Sequence, residues 1–98
     1  MCGLTGFFEL KNNNSRSERG VIGQKMTDSL THRGPDSAGL WQDSDLPLVL
    51  GHRRLAILDL SEEGAQPMSA PSERYMIAYN GEVYNHLELR QDLKAKGV

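Results

Sequence analysis

The sequence predicts an α+β domain built on antiparallel strands, and three observations carry that expectation. Ile22, Met26 and Leu30 recur at a spacing of four, which places them on one face of a helix. Two strand-like stretches, 37–42 and 46–57, flank the polar link from Asp43 to Asp45, and an antiparallel hairpin is their simplest connection. Asn85 and Glu88 have the spacing of a helix N-cap and its N3 partner, ahead of a second helical stretch.

In chain order, residues 3–10 read as a strand with Leu4, Phe7 and Phe8 to bury. Residues 11–19 are polar, with three consecutive asparagines, and read as a loop. The helix over 21–31 is expected to cover a sheet and to end at the turn 32–37, where Pro35 presets φ and Asp36 can bond local backbone amides. After the two strands, 59–72 reads as loop and 75–79 as a short strand that Asn80-Gly81 breaks. Helix follows from His86 to about Lys96. Gly97 suits its C′ position, and Leu89 with Leu93 gives it a partial apolar face.

At 98 residues, 38% hydrophobic and 24% charged, the chain has the composition of one ordinary globular domain with a small core. A net charge of −2, without runs of like charge, argues against nucleic acid and anionic membrane as partners. The opening ten residues lack a basic start, and Gly3, Thr5 and Gly6 interrupt their apolar stretch. They suit neither a signal peptide nor a membrane span, so the expected location is the cytosol.

Cys2 is the single cysteine and follows Met1 directly, so no internal disulfide can form. A small residue in this position lets an aminopeptidase remove the initiator, which would leave a thiol and a free α-amine on one residue. A thiol of pKa ~8.5 needs a base, and an α-amine of pKa ~7.7–8.0 supplies one at neutral pH. The plainer alternative is a cysteine that only fills space.

The segment Gly51-His52-Arg53-Arg54-Leu55 puts charge inside an otherwise apolar strand. With Arg53 toward solvent, alternation turns Arg54 to the covered side, where a guanidinium needs an anion. That anion is either an internal Asp or Glu or the carboxylate of a bound amino acid. His52 reads as a structural histidine, and with His32 and His86 it shows no metal-ligand spacing. Asn80-Gly81 is either a turn or a pair of donors for an oxyanion, and the helix that follows is not the returning strand of a hairpin. The stretch from Arg33 to Asp36 reads as a rigid turn and pocket wall without a catalytic role.

In order, the chain contains Met1-Cys2-Gly3, His32-Arg33-Gly34-Pro35-Asp36-Ser37, Gly51-His52-Arg53-Arg54-Leu55-Ala56-Ile57, Gln66-Pro67-Met68 and Tyr79-Asn80-Gly81-Glu82-Val83-Tyr84-Asn85. In these motifs it resembles class II glutamine amidotransferase domains, most of all the glutaminase half of asparagine synthetases. The resemblance implies an N-terminal nucleophile hydrolase fold, an α/β/β/α sandwich of antiparallel sheets, with only the N-terminal portion present in residues 1–98. It implies L-glutamine as substrate and Cys2 as the nucleophile that forms a γ-glutamyl thioester. Asn80 and Gly81 match the oxyanion donors, and Arg54 matches the clamp on the α-carboxylate. Leu55, Ile57, Leu58 and Glu82 match the segments that line the glutamine pocket. No cofactor is implied in this chain. ATP and Mg²⁺ would belong to an absent synthetase half, C-terminal or separate, and the aspartate that holds the substrate amine would lie beyond Val98. Two rival readings are a non-catalytic interaction module and an N-terminal nucleophile hydrolase of another amide.

Overall fold

Leu48–Arg54 forms β3, the central strand of a three-stranded antiparallel sheet, with β1 (Gly3–Phe8) and β2 (Ser37–Gln42) on its two sides. This computed structural model describes residues 2–11, 13–56 and 62–98. Gly3 pairs with Arg53 and Phe8 with Leu48, while Ser37 pairs with Arg54 and Gln42 with Val49. Alternation then sorts the side chains: Phe7, Leu40, Val49, Gly51 and Arg53 share one face, and Leu4, Trp41, Leu50, His52 and Arg54 the other. The β2–β3 link is an Asx-type turn, in which the Asp43 carboxylate accepts the N–H groups of Asp45 and Leu46.

Helix α1 (Arg16–Asp28) packs on the first face and begins earlier than the apolar spacing predicts. Ser15 caps the Glu18 N–H at 3.1 Å, and the Glu18 carboxylate accepts the Ser15 N–H at 3.0 Å, so a capping box turns part of the polar stretch 11–19 into helix. Gly23 and Thr27, and not Ile22, form its buried stripe, and Ile22 lies 38% exposed. Close approach explains the rotation. A Cβ on Gly23 would stand 2.6 Å from Val49 Cγ1, and one on Gly51 would collide with the Thr27 hydroxyl. Only small residues fit between helix and strand at that separation.

On the opposite face, Leu4 and Phe8 are 46% and 50% exposed, contrary to the expected burial. Among the described residues no α-helix covers that side, and Val49 is the one fully buried hydrophobe. The radius of gyration is 15.3 Å, above the ~13 Å of a compact domain this long.

Beyond the sheet lie a 3₁₀ turn (Glu62–Gly64), the two-stranded pair β4 (Met68–Ser69) and β5 (Met76–Ile77), and helix α2 (His86–Ala95). The strand expected over 75–79 therefore shrinks to two residues. Asn85 occupies the N-cap of α2 without a side-chain bond, because its ψ of 30° turns it away from the extended conformation that aims a capping oxygen. The other end closes as the sequence predicts. Gly97 has φ +80°, its N–H reaches the Lys94 carbonyl at 3.0 Å, and Val98 N–H reaches that of Leu93 at 2.9 Å. Among the described residues no helix is long and apolar enough to cross a membrane.

Candidate active site

The register that pairs Gly3 with Arg53 brings the entrance of β1 beside the exit of β3, so Cys2 stands level with Arg54. Leu55 donates its N–H to Cys2 Sγ at 3.3 Å, and the thiol faces the Leu55 carbonyl at 3.7 Å. Two backbone groups of one residue thus fix the sulfur, and both residues are half-buried.

The exit of β3 is itself held by Asp36. Its N–H donates to the Arg54 carbonyl at 3.0 Å, and its carboxylate accepts the Ala56 N–H at 2.8 Å. The aspartate therefore bonds a strand 20 residues away, and not the local amides its turn suggests. The turn from Arg33 to Asp36 braces the strand that carries Arg54 and Leu55.

The two arginines are placed differently from the expectation. Arg53 lies on the α1 side and donates from Nε to the Gly34 carbonyl at 2.8 Å, because it shares parity with Val49 and Gly51, the residues α1 covers. Arg54 faces the other side. There its guanidinium lies against Gly64, where a Cβ would overlap it.

Beside Arg54 on that face, His52 has no exposed surface, and among the described residues neither ring nitrogen finds a hydrogen-bond partner. Burial holds its pKa below the usual histidine value. The Tyr79 backbone opposes that shift without reaching hydrogen-bond geometry, and the Arg54 charge adds to it.

Gly39, the partner of His52 on β2, is overlaid by Gln66, whose carbonyl oxygen would collide with any Cβ there. Tyr79 donates its N–H to Gln66 Oε1 at 2.6 Å, and its phenol donates to the Glu82 carbonyl at 3.2 Å. Gly81 tucks against the same ring, its missing Cβ position lying 2.7 Å from the phenol oxygen. Asn80, Gly81 and Glu82 are exposed, on the segment between β5 and α2.

Cys2, Arg54 and Leu55 are therefore gathered at one end of the sheet. Asn80, Gly81 and Glu82 stand on a separate segment, and among the described residues no hydrogen bond joins them to Cys2. Ile57 and Leu58 lie outside the described residues. Nothing in the sequence gives Gln66 a role, although it opens the segment Gln66-Pro67-Met68. Its partner lies 13 residues on, and no local pattern announces such a bond. Among the described residues no group of three His, Cys, Asp or Glu could hold a metal ion.

The family model described as a glutamine amidotransferase domain matches residues 1–98. The chain belongs to that family. Its relatives are several times longer. The chain is 41% identical to asparagine synthetase (glutamine-hydrolyzing) 1 of Bacillus subtilis, over 99% of its own length and 15% of that protein. It is 42% identical to a probable asparagine synthetase (glutamine-hydrolyzing) of Dictyostelium discoideum, over 99% of the chain and 16% of the relative. It is 33% identical to asparagine synthetase B (glutamine-hydrolyzing) of Escherichia coli, over 94% of the chain and 16% of the relative. The chain thus spans about 15% of the length of the curated relatives it matches. No solved structure matches it.

Proposed function

We propose that this chain carries the glutaminase step of an asparagine synthetase-like enzyme, in which L-glutamine and water give glutamate and ammonia. The observation that carries the reading is the seat of Cys2: its sulfur is held by Leu55 and stands level with Arg54, a nucleophile beside a cation suited to an α-carboxylate. After removal of Met1, the α-amine of Cys2 takes the thiol proton and the sulfur attacks the side-chain amide carbon of glutamine. The Asn80 side-chain amide and Gly81 N–H donate to the oxyanion that forms, a contribution worth ~100-fold or more in rate per donor. As the carbon–nitrogen bond breaks, the amine returns its proton to the departing ammonia. Water then cleaves the thioester, restoring the thiol and releasing glutamate. Arg54 holds the α-carboxylate by paired hydrogen bonds, with Leu55, Ile57, Leu58 and Glu82 lining the pocket.

In this reading the bare face with Leu4 and Phe8 is where a second antiparallel sheet packs, giving the α/β/β/α sandwich of an N-terminal nucleophile hydrolase. Its support is the exposure of both residues on the side α1 leaves open. Residues 1–98 are then the N-terminal part of the glutaminase domain. Ammonia passes to a synthetase half in the cytosol, which also holds the ATP and Mg²⁺ site.

The separation of Asn80 and Gly81 from Cys2 favours one second reading, a catalytically silent domain that serves as an interaction module. Treating the full chain with a thiol-reactive glutamine analogue and measuring intact mass separates the two. The glutaminase reading requires one adduct in the wild type and none in Cys2→Ala. A wild-type chain with an unblocked Cys2 and no adduct overturns it.

A further inference from the structure

The peptide that leads into Asn80 is tied to the sheet through Tyr79. Tyr79 donates its N–H to Gln66 Oε1 at 2.6 Å, a short bond for an amide donor. Gln66 is itself seated on β2. Its carbonyl oxygen fills the space over Gly39, and Pro67 Cδ would stand 3.1 Å from a Cβ built there. Gly39 pairs with His52 on β3. A line of contact therefore runs from β2 and β3, through Gln66, to the residue before Asn80. Among the described residues, Asn80 and Gly81 make no hydrogen bond of their own. Their position depends on Tyr79.

We propose that Gln66 is a positioning residue for glutamine hydrolysis, its side-chain oxygen holding Tyr79 so that the Asn80 amide and Gly81 N–H face the developing oxyanion. The proposal rests on the glutaminase reading. Oxyanion donors act on a charge that exists only in the transition state, so their misplacement lowers kcat. Binding of the α-carboxylate by Arg54 is made equally in ground and transition states and sets KM.

The test is ammonia release by the full chain as a function of glutamine concentration. Gln66→Met keeps the side-chain length and removes the acceptor. It is expected to lower kcat about 10- to 100-fold with KM within about two-fold. Gln66→Glu keeps an acceptor oxygen at the same reach and restores kcat to within about five-fold of wild type. Gly39→Ala displaces Gln66 from the sheet side and reproduces the kcat-selective loss, and it serves in place of Gln66→Met should that variant not fold. Amide exchange at Tyr79, followed by NMR, speeds up in Gln66→Met and stays slow in Gln66→Glu. Wild-type kcat in Gln66→Met, a loss that Gln66→Glu leaves unrestored, or a KM that rises in step with the fall in kcat overturns the positioning role. A wild-type chain with unblocked Cys2 that releases no ammonia overturns the glutaminase reading itself, so the wild-type rate tells the two failures apart.

Discussion

The Asp36 carboxylate accepts the Ala56 N–H at 2.8 Å, and the Asp36 N–H donates to the Arg54 carbonyl at 3.0 Å, so one residue grips the exit of β3 on either side of Leu55. Asp36→Ala removes the charged acceptor and frees a backbone donor. A loss of about 1 kcal/mol is expected, because the bond is exposed and its donor can turn to water. For a domain this size that lowers Tm by about 4–8 °C. Asp36→Asn keeps an acceptor oxygen and recovers most of the loss. Equal Tm in Asp36→Ala and wild type, by calorimetry, would remove the brace from the account.

Arg54→Ala tests the carboxylate clamp. A lost charge-assisted pair is worth about 1.5–3 kcal/mol, which predicts a fall of about 10- to 150-fold in kcat/KM for glutamine, mostly through KM. Hydrolysis of a simple amide that lacks the α-carboxylate is expected to change little. Lysine is expected to restore only part of the activity, since it cannot present two parallel donors. An equal loss on both substrates would show that Arg54 supports the fold and does not bind the carboxylate.

His52 predicts a pH dependence whose sign follows from its burial. The folded chain resists protonating the ring, while the unfolded chain protonates it near the ordinary value of 6.5. Below that pH the unfolded state binds more protons, so stability rises with pH through the window under 6.5 and levels off above it. Urea unfolding between pH 5 and 8 reads this directly. His52→Phe is expected to flatten that part of the curve, and an unchanged slope in the variant would assign the effect to other groups.

Gly51→Ala tests the fit between α1 and β3. The new methyl would collide with the Thr27 hydroxyl, which is already committed to the Gly23 carbonyl at 2.7 Å. Overpacking of this kind costs typically about 1–3 kcal/mol. Thr27→Ala opens the space and is expected to offset part of that cost in the double variant. Additivity of the two substitutions in denaturant unfolding would mean that the residues do not share the space.

Much of the architecture was legible because it rests on local chemistry. The strand 37–42 appears with its predicted bounds, and Gly97 closes α2 with the positive φ its position calls for. The capping box at Ser15 and Glu18 is equally local, but the polarity of the stretch around it reads as loop. The apolar spacing of Ile22, Met26 and Leu30 located α1 but misjudged its inward side. Periodicity counts apolar surface, whereas this helix sits so close to β3 that glycine and threonine face the sheet. The side of the sheet that α1 covers, and with it which of Arg53 and Arg54 lies under the helix, was likewise a matter of packing, whereas their opposite orientations follow from strand alternation.

Residue order by itself established the family, the lone thiol at position 2 and the strand segments, since chemical type and local backbone preference are written along the chain. Only tertiary structure decided that Leu55 receives the sulfur, that Asp36 reaches Ala56 and that Gln66 carries Tyr79. Each of those bonds spans 13 to 53 residues. A hydrogen bond depends on separation in space, and for such pairs that separation exists only once the strands have paired and the connecting segment has crossed the sheet.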